Sequence, residues 1–167
     1  MSHVVRMSVE MKNWDLVAKA AGDVEARVIG QVHATRFGSG FAVHLKNWNY
    51  NIVIDKEGHA SFDNYGGRWG NIDELKKLQE AYALRAAEKV CQDQGWYCET
   101  QNGSLIITHP TGGVITISGT TIDATGFSGE VCAAATAEIE KAMGIESSRT
   151  LKPQYGEVML DQSQVED

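Results

Sequence analysis

The sequence contains little proline, little cysteine and no long apolar run. Two prolines in 167 residues leave most of the chain free to form helices and strands. Three cysteines without a CxxC pair indicate neither a disulfide framework nor a structural zinc site. No segment approaches the roughly 18 consecutive apolar residues that a membrane helix needs. We therefore expect no disulfide scaffold and no membrane contact.

Basic residues are also scarce relative to acidic ones. The formal net charge of −7 opposes non-specific binding to duplex DNA or to an anionic membrane. Part of this charge lies in residues 157–167, which we expect to form an acidic, disordered tail. The start of the sequence lacks the basic and apolar regions of a signal peptide. We expect a soluble cytoplasmic protein, or one that works in the host cytoplasm if it is viral.

Hydrophobic patterns predict both strands and helices. A helix capped by Asn13 ends near Gly22, a longer one begins at Asn71 and ends before Gly95, and a third covers 128–143. Alternating or short apolar runs predict strands at 4–11, 27–35, 41–46, 50–55, 59–62, 96–100, 105–108, 114–118 and 121–125. Because helices and strands do not alternate strictly, we predict an α+β fold. Its sheet is largely antiparallel with helices packed on one face, and a small β-hairpin–helix module is added.

The clearest break between predicted secondary-structure elements is His109-Pro110-Thr111-Gly112-Gly113, which contains one proline and two glycines. It predicts an α+β domain over residues 1–109 and a β-β-α module over residues 113–156. The connection is too short to let the module move independently. We therefore expect the module to continue the sheet or to pack on it.

Two glycine-containing loops lead into predicted helices, namely 66–70 and 126–129. Glycine lets backbone N–H groups approach an anion, and a helix start supplies unpaired donors. Cations and aromatic rings lie in or near these loops, as a phosphate-bearing base would require. The candidate ligand-binding residues are Arg36, Trp48, Tyr50, Arg68, Trp69, Gly126, Phe127, Ser128, Gly129, Arg149 and Lys152.

The same residues also have a purely structural interpretation. Glycine before a helix is often only a tight turn, and tryptophan beside arginine is often a core residue beside a solvated cation. The chain contains neither the Walker nor the Rossmann glycine spacing. A surface for a protein partner therefore stays open beside a site for a small anion.

Catalytic and metal-binding patterns are weak. Cys132 lies in the first turn of a predicted helix, where the helix dipole lowers a thiol pKa, but it also fits as a small buried residue. The acids lie at turns and at a helix start: Asp55, Glu57, Asp63, Asp73 and Glu74. The histidines are scattered without an HxH or HxxxH pair: His3, His33, His44, His59 and His109. We predict no catalytic residue, no metal site and no cofactor.

Two sets of residues carry a resemblance to known families. The first set is spread over residues 1–109: Met1-Ser2-His3, Tyr50-Asn51-Ile52, Trp69-Gly70, Gln79, Tyr82-Ala83, Gly95, Gly103 and Leu105. In these features the segment resembles the conserved open reading frame thirty-five family of chloroplast and cyanobacterial genomes, whose function is unknown.

The second set lies within residues 113–156: Gly126-Phe127-x-Gly129-x-x-Cys132, Thr136, Glu140, Gly144 and Arg149-x-Leu151-Lys152-Pro153-x-Tyr155. This segment resembles a second small domain of unknown function that is often encoded beside the first. The two resemblances imply a fusion of proteins that are often separate. They also imply an AAA-type ATPase or a ferredoxin-like protein as partner, and viral members exist. Neither family has established catalytic residues, so the resemblance assigns none.

These observations favour a protein that binds over one that catalyses. The first hypothesis is an adaptor or regulatory module for a protein partner. The alternative is binding or sequestration of a small anionic, nucleotide-like ligand at the glycine-containing helix starts. An enzyme that depends on Cys132 or on an acid pair comes last. Short strands and an extended segment around Pro153 suggest exposed edges, so we expect a homo-oligomer, most simply a dimer.

Overall fold

A computed structural model describes residues 5–6, 10–127 and 130–144, and the side chains of residues 10–127 and 134–144. The chain divides into two compact units, Met1–Arg85 and Ala86–Asp167. The division falls inside α2 (Ile72–Gln94), the longest of the described helices. None of the described helices combines the length and the apolarity needed to cross a membrane.

The first unit contains a five-stranded antiparallel sheet with the order β1-β5-β4-β3-β2. Its strands are β1 (Val5–Arg6), β2 (Arg27–Thr35), β3 (Gly38–His44), β4 (Ile52–Ile54) and β5 (Ala60–Phe62). The central strand β4 is buried along its whole length. Gly40 of β3 approaches the Ile54 carbonyl so closely that a Cβ would collide with it. The absence of a side chain therefore permits this strand pairing.

Strand β2 forms one edge of this sheet and is irregular. Its pairing with β3 shifts register between Val28 and Gly30 and again between Val32 and Thr35. Such bulges bend an edge strand and discourage further pairing. Val28 and Ile29 nevertheless remain 40% and 43% exposed. The edge thus combines apolar side chains with a distorted backbone.

Helix α1 (Trp14–Asp23) begins as the sequence predicts. The Asn13 side chain accepts hydrogen bonds from the N–H groups of Asp15 and Leu16, at 3.0 and 3.2 Å. These bonds satisfy two of the unpaired donors at the helix start. The Trp14 ring stacks on Phe41 at 5.7 Å, which fixes the first turn against β3. The predicted cap is confirmed.

The part of α2 in the first unit contributes Leu75, Leu78 and Tyr82 to a continuous core. The Tyr82 hydroxyl accepts a hydrogen bond from the Asn13 N–H at 3.2 Å and so joins α2 to the start of α1. Burial raises the pKa of this hydroxyl. The other fully buried residues of this unit include Met11, Val17, Val43, Leu45, Ile52, Ile54 and Phe62.

The second unit contains a four-stranded antiparallel sheet with the order β6-β7-β8-β9, followed by helix α3 (Glu130–Met143). Its strands are β6 (Tyr97–Gln101), β7 (Ser104–Thr108), β8 (Val114–Ser118) and β9 (Thr121–Thr125). Asn102 and Gly103 connect β6 to β7, with φ of 51° and 81°. Two positive φ angles match the tight type I′ hairpin that Asn-Gly favours. The predicted hairpin is confirmed.

Helix α2 ends in the second unit at the predicted glycine. Gly95 has φ of 76°, and the Trp96 N–H donates to the Cys91 carbonyl at 2.9 Å. The Gly95 N–H donates to the Gln92 carbonyl at 3.3 Å, which completes a Schellman motif. Among the described residues, the apolar core of this unit contains Ala86, Ala87, Cys91, Leu105, Ile107, Ile115, Ile117, Phe127, Ala135, Ile139 and Met143.

The predicted α+β class is confirmed, since helices accompany two sheets whose strand pairs are all antiparallel. The predicted limits of the domains, 1–109 and 113–156, differ from the observed division. Strand β7 pairs with β8 along four residues, so all four strands from β6 to β9 share one sheet. The chain is divided instead between Arg85 and Ala86.

The predicted boundary at residues 109–113 is a tight connection between β7 and β8. The His109 N–H donates to the Gly113 carbonyl at 2.8 Å, and the Gly112 N–H donates to the His109 carbonyl at 2.8 Å. Proline and glycine therefore mark a turn within a sheet here. The predicted tail at residues 157–167 lies outside the described residues.

Candidate functional site

The loop at residues 64–70 is held by hydrogen bonds to its own backbone. The Asn64 carbonyl accepts from the Gly67 and Trp69 N–H groups, at 3.0 and 2.9 Å. The Asn64 side chain donates to the Gly70 carbonyl at 3.2 Å. Tyr65, Gly66 and Gly67 all have positive φ, which two glycines make accessible. The loop is therefore a closed, well-defined turn before α2.

Three rings and one guanidinium pack together at this turn. We call this group the aromatic platform; it consists of Tyr65, Arg68 and Trp69 from the turn and of Tyr50, which precedes β4. The Tyr65 and Trp69 rings stack with centroids 4.7 Å apart and planes at 23°. The Tyr50 ring meets Trp69 edge-on at 5.1 Å. The Arg68 guanidinium lies over the Tyr65 ring at 5.3 Å. Tyr50 remains 45% exposed, and Arg68 is exposed as well.

A buried carboxylate supports the platform from below. The Asp63 side chain is fully buried, and its Oδ1 accepts a hydrogen bond from the Tyr65 N–H at 3.0 Å. Its Oδ2 accepts from the Arg36 guanidinium, which also lies over the Phe37 ring. Arg36 thus neutralises a buried charge of the protein. The sequence predicts Arg36 as a ligand-binding cation, whereas the structure pairs it with the Asp63 carboxylate of the same chain.

Backbone donors in this region are largely used within the protein. Besides the two bonds to Asn64, the Arg68 N–H donates to the Tyr65 carbonyl at 3.2 Å. At the start of α2, the N–H groups of Asp73 and Glu74 donate to the Asn71 side chain and carbonyl, at 2.9 and 3.0 Å. An anion at this helix start would have to displace these bonds.

Trp48 belongs to the core. Its ring is 4% exposed, meets Phe62 edge-on at 5.5 Å, and donates from its indole N–H to the Asn71 carbonyl at 3.0 Å. The ring also lies directly against Gly70. The structure therefore packs this predicted stacking residue against Phe62 and Gly70. Of the candidate residues in the first unit, Tyr50, Arg68 and Trp69 come together, and Trp48 is buried next to Gly70.

The second predicted loop lies in the other unit and is described up to Phe127. Gly126 has φ of 80°, and the Phe127 ring is 5% exposed. This ring packs flat against Gly113, where a Cβ would lie 2.5 Å from it, and contacts the His109 ring at 5.3 Å. His109 in turn contacts Trp96 at 4.9 Å. Phe127 is thus a core residue of the second unit.

Four of the predicted ligand-binding residues lie outside the described residues: Ser128, Gly129, Arg149 and Lys152. The backbone of Cys132 lies in α3, but its side chain is outside the described part. Its environment and the role proposed for it stay predictions.

Several of the described histidines and acids have structural contacts with residues nearby in the chain. His44 Nδ1 lies 2.8 Å from Asn51 Oδ1, and His109 Nδ1 lies 2.8 Å from the Thr111 hydroxyl. The Asp55 carboxylate accepts from the His59 N–H at 2.9 Å and so shapes the β4–β5 turn. Within residues 10–127 and 134–144, no three His, Cys, Asp or Glu side chains are grouped to hold a metal ion.

Sequence reasoning overlooked Tyr65 and Asp63 as parts of one site. Tyr65 is the central ring of the platform, because it contacts both Trp69 and Arg68. An aromatic residue four positions before Trp69 in a glycine-containing turn was the available signal. The sequence places Asp63 among the acids at turns, as a turn residue or a member of an acid pair, and nothing local shows that Arg36 reaches it.

One comparison with known proteins gives a match. Residues 114–155 match a family described as "Protein of unknown function (DUF2997)". The matched segment begins with β8, includes β9 and α3, and continues beyond the described residues. No curated protein and no solved structure matches the chain. The fusion with a first family over residues 1–109 stays a prediction, and residues 114–155 are identified as a domain of unknown function.

Proposed function

We propose that the protein is a binding module for a protein partner, in the manner of an adaptor, and that the aromatic platform is its contact surface. The observation that carries the proposal is the packing of Tyr50, Trp69, Tyr65 and Arg68 into one partly exposed group. Tyrosine, tryptophan and arginine are the residues that most often dominate binding energy at protein interfaces.

The platform is packed within the protein in the absence of a partner. Its rings contact one another, and the turn beneath them is closed by internal hydrogen bonds. Ordering side chains and loops is one of the costs of association, so a pre-packed surface reduces that cost. The partner would add contacts to the exposed Tyr50 ring and to the outer side of Arg68.

The charge of Arg68 specifies the chemistry of the partner. Within the part of the chain that the structure describes, the Arg68 guanidinium contacts the Tyr65 ring and has no carboxylate partner. An acidic side chain of a partner would form a charge-assisted hydrogen bond with it. We therefore propose a partner segment with an aromatic or aliphatic side chain beside an acidic one. The two classes implied by the family resemblance, an AAA-type ATPase and a ferredoxin-like protein, are the first candidates.

Binding of a small anionic, nucleotide-like ligand stays the alternative. It relies on backbone donors at the start of α2 and on an open aromatic plane. The N–H groups of Gly67, Arg68 and Trp69 already donate within the loop, and the Tyr65 ring already has two partners. These internal contacts favour the protein partner over the ligand.

The test is site-specific photo-crosslinking in the cells that express the protein. A benzophenone amino acid replaces Tyr50, and in a matched control it replaces Tyr97, an exposed tyrosine of the second unit. We expect a protein adduct from position 50 that does not form from position 97. The adduct should be lost after Arg68→Glu and kept after Lys76→Glu, a control that changes charge on the exposed side of α2.

The same experiment separates the two functions. The same adducts from both positions, or none from position 50, would contradict the protein-partner proposal. A position-50 adduct to a nucleotide or oligonucleotide, identified by mass, would support the alternative instead. Purified candidate partners can then be titrated against wild-type and Arg68→Glu protein by calorimetry.

A further inference from the structure

Two cysteines of the second unit lie on either side of the turn that ends α2. Cys91 occupies the last part of the helix and is fully buried. The Schellman motif at Gly95 reverses the chain, so that the Trp96 N–H bonds back to the Cys91 carbonyl. Strand β6 then begins, with Cys98 as its second residue. The turn therefore brings a strand that carries one thiol back to the helix end that carries the other.

The strand register places Cys98 on the inner side of the sheet. Cys98 lies opposite Ile107 of β7, and Ile107 lies opposite Ile115 of β8. Directly opposite residues of an antiparallel pair project to the same face. Both isoleucines are fully buried, and Cys98 is half-buried while the other four residues of β6 are exposed. Its side chain thus projects to the inner face of the sheet, and the residue as a whole remains partly exposed.

The two thiols are neighbours. The pKa of Cys91 is raised to about 12, first by burial and then by the charge of Cys98 and a hydrogen bond with its thiol. Both cysteines are free thiols. The pair has no CxxC spacing, and six residues separate the two cysteines along the chain. The folded helix end and the strand register bring them together.

We propose that Cys91 and Cys98 form a reversible intramolecular disulfide when the protein meets a low-molecular-weight disulfide such as oxidised glutathione. The partly exposed Cys98 reacts first. Its thiolate attacks one glutathione sulfur, so that a Cys98–glutathione bond forms, the glutathione S–S bond breaks, and one glutathione thiolate leaves.

Cys91 completes the exchange. Its thiol gives up its proton as its sulfur attacks Cys98, the bond between Cys98 and glutathione breaks, and the second glutathione leaves. Two protein thiols are thereby oxidised to one disulfide, and one glutathione disulfide is reduced to two glutathione thiols, which take up the two protons. Burial of Cys91 protects it from direct attack, so the order of the two steps follows from accessibility.

The bond would join the end of α2 to an edge strand. Strand β6 pairs only with β7 among the described strands, and its other residues are exposed. A disulfide to Cys91 would fasten this strand to the helix across the turn at Gly95. The modification would therefore stiffen the start of the second unit and leave the aromatic platform chemically unchanged.

Peptide mapping of the full chain tests the proposal. Native protein is equilibrated with reduced or oxidised glutathione at about pH 8, where exchange is fast, and free thiols are then alkylated. Cleavage before Asp93 and Asp123 places Cys91, Cys98 and Cys132 in three separate peptides. In the oxidised sample we expect peptides 73–92 and 93–122 to be joined, with a mass lower by two hydrogen atoms than the sum of the two reduced peptides. Reduction should separate them.

Variants identify the intermediate. Cys91→Ser should stop at glutathione bound to Cys98, Cys98→Ser should leave Cys91 unmodified in the native protein, and Cys132→Ser should still form the 91–98 bond. The wild-type map decides the question even if a variant fails to fold. Complete alkylation of both cysteines after oxidation, a stable glutathione adduct on wild-type Cys98, or pairing with Cys132 would overturn the proposal.

Discussion

The ring of Trp48 fills the space in which a side chain at Gly70 would have to stand. A Cβ at Gly70 would overlap the indole ring, which is itself buried and bonded through its N–H to the Asn71 carbonyl. Because the ring cannot move without breaking that bond, only glycine fits at this position. Through this contact between Gly70 and Trp48, the turn that carries the aromatic platform packs directly against the core of the first unit.

Gly70→Ala should therefore destabilise the first unit. The added methyl group displaces Trp48 or the turn, which costs on the order of 1–3 kcal/mol of unfolding free energy. Urea denaturation followed by tryptophan fluorescence measures this change. Gly22→Ala in α1 is the matched control, since nothing lies within 4 Å of its Cβ position and its φ is not positive. It should stabilise by a few tenths to about 1 kcal/mol, and equal losses in both variants would contradict the packing argument.

Arg36 and Arg68 should differ in their contribution to stability. Arg36→Met removes the guanidinium that pairs with the buried Asp63 carboxylate, and we expect a loss of about 1–3 kcal/mol. Arg68→Met removes only an exposed cation over the half-buried Tyr65 ring and should cost less than about 1 kcal/mol. Chemical denaturation of the two variants under identical conditions tests this order. The reverse order would show that Arg68 is a structural residue.

Tyr82→Phe should weaken the contact between α2 and the start of α1. The substitution keeps the buried ring but removes the hydroxyl that accepts from the Asn13 N–H at 3.2 Å. A part-buried donor then loses its partner, which costs about 1–2 kcal/mol. The substitution should also accelerate amide hydrogen exchange at Asn13, while exchange at residues of the second sheet should stay unchanged. Unchanged protection at Asn13 would show that water replaces the hydroxyl without loss.

Cys91 should make stability decrease at alkaline pH. Burial raises the pKa of its thiol from 9.0 to about 12, so between these values the folded state keeps a proton that the unfolded chain loses. The resulting stabilisation is fully present below about pH 9 and falls by up to about 1.4 kcal/mol per pH unit above it. Urea denaturation from about pH 8 to pH 10.5 should show a steeper decrease for wild type than for Cys91→Ala. Equal slopes would contradict the shifted pKa.

The expected homodimer is tested at the edge strand β2. Within the described residues β2 pairs only with β3, and it exposes Val28 and Ile29. If a second copy covers this edge, light scattering at micromolar concentration should give twice the chain mass. Ile29→Lys should then restore the monomer, because a charge on an edge strand opposes pairing. Tyr97→Lys on the other sheet is the control and should leave the dimer intact.

Local features of the fold could be predicted from the sequence because local residues determine them. The Asn13 cap, the helix end at Gly95 and the hairpin at Asn102-Gly103 each depend on a few neighbouring residues with specific backbone preferences. Each of the three lies where the sequence placed it.

Features that depend on distant residues could not be predicted in this way. Residues 109–113, where the sequence predicts a domain boundary, form the turn between the paired strands β7 and β8. Trp48 and Trp69 have similar sequence contexts but differ in burial. Trp48 packs against Gly70 in the core, whereas Trp69 is only half-buried. Arg36 meets Asp63 across 27 positions of the chain. The sequence could therefore predict that arginine and aromatic residues form the site, but it could not predict which of these residues are buried.

The stack of Tyr65 on Trp69 also gives the protein an intrinsic optical reporter. Two chromophores with centroids 4.7 Å apart and planes at 23° couple their electronic transitions. The near-ultraviolet circular dichroism should therefore contain a component that depends on the geometry of this one turn. Occupancy or opening of the platform could be followed by its amplitude in unlabelled protein, with Tyr65→Leu as the variant that removes the signal.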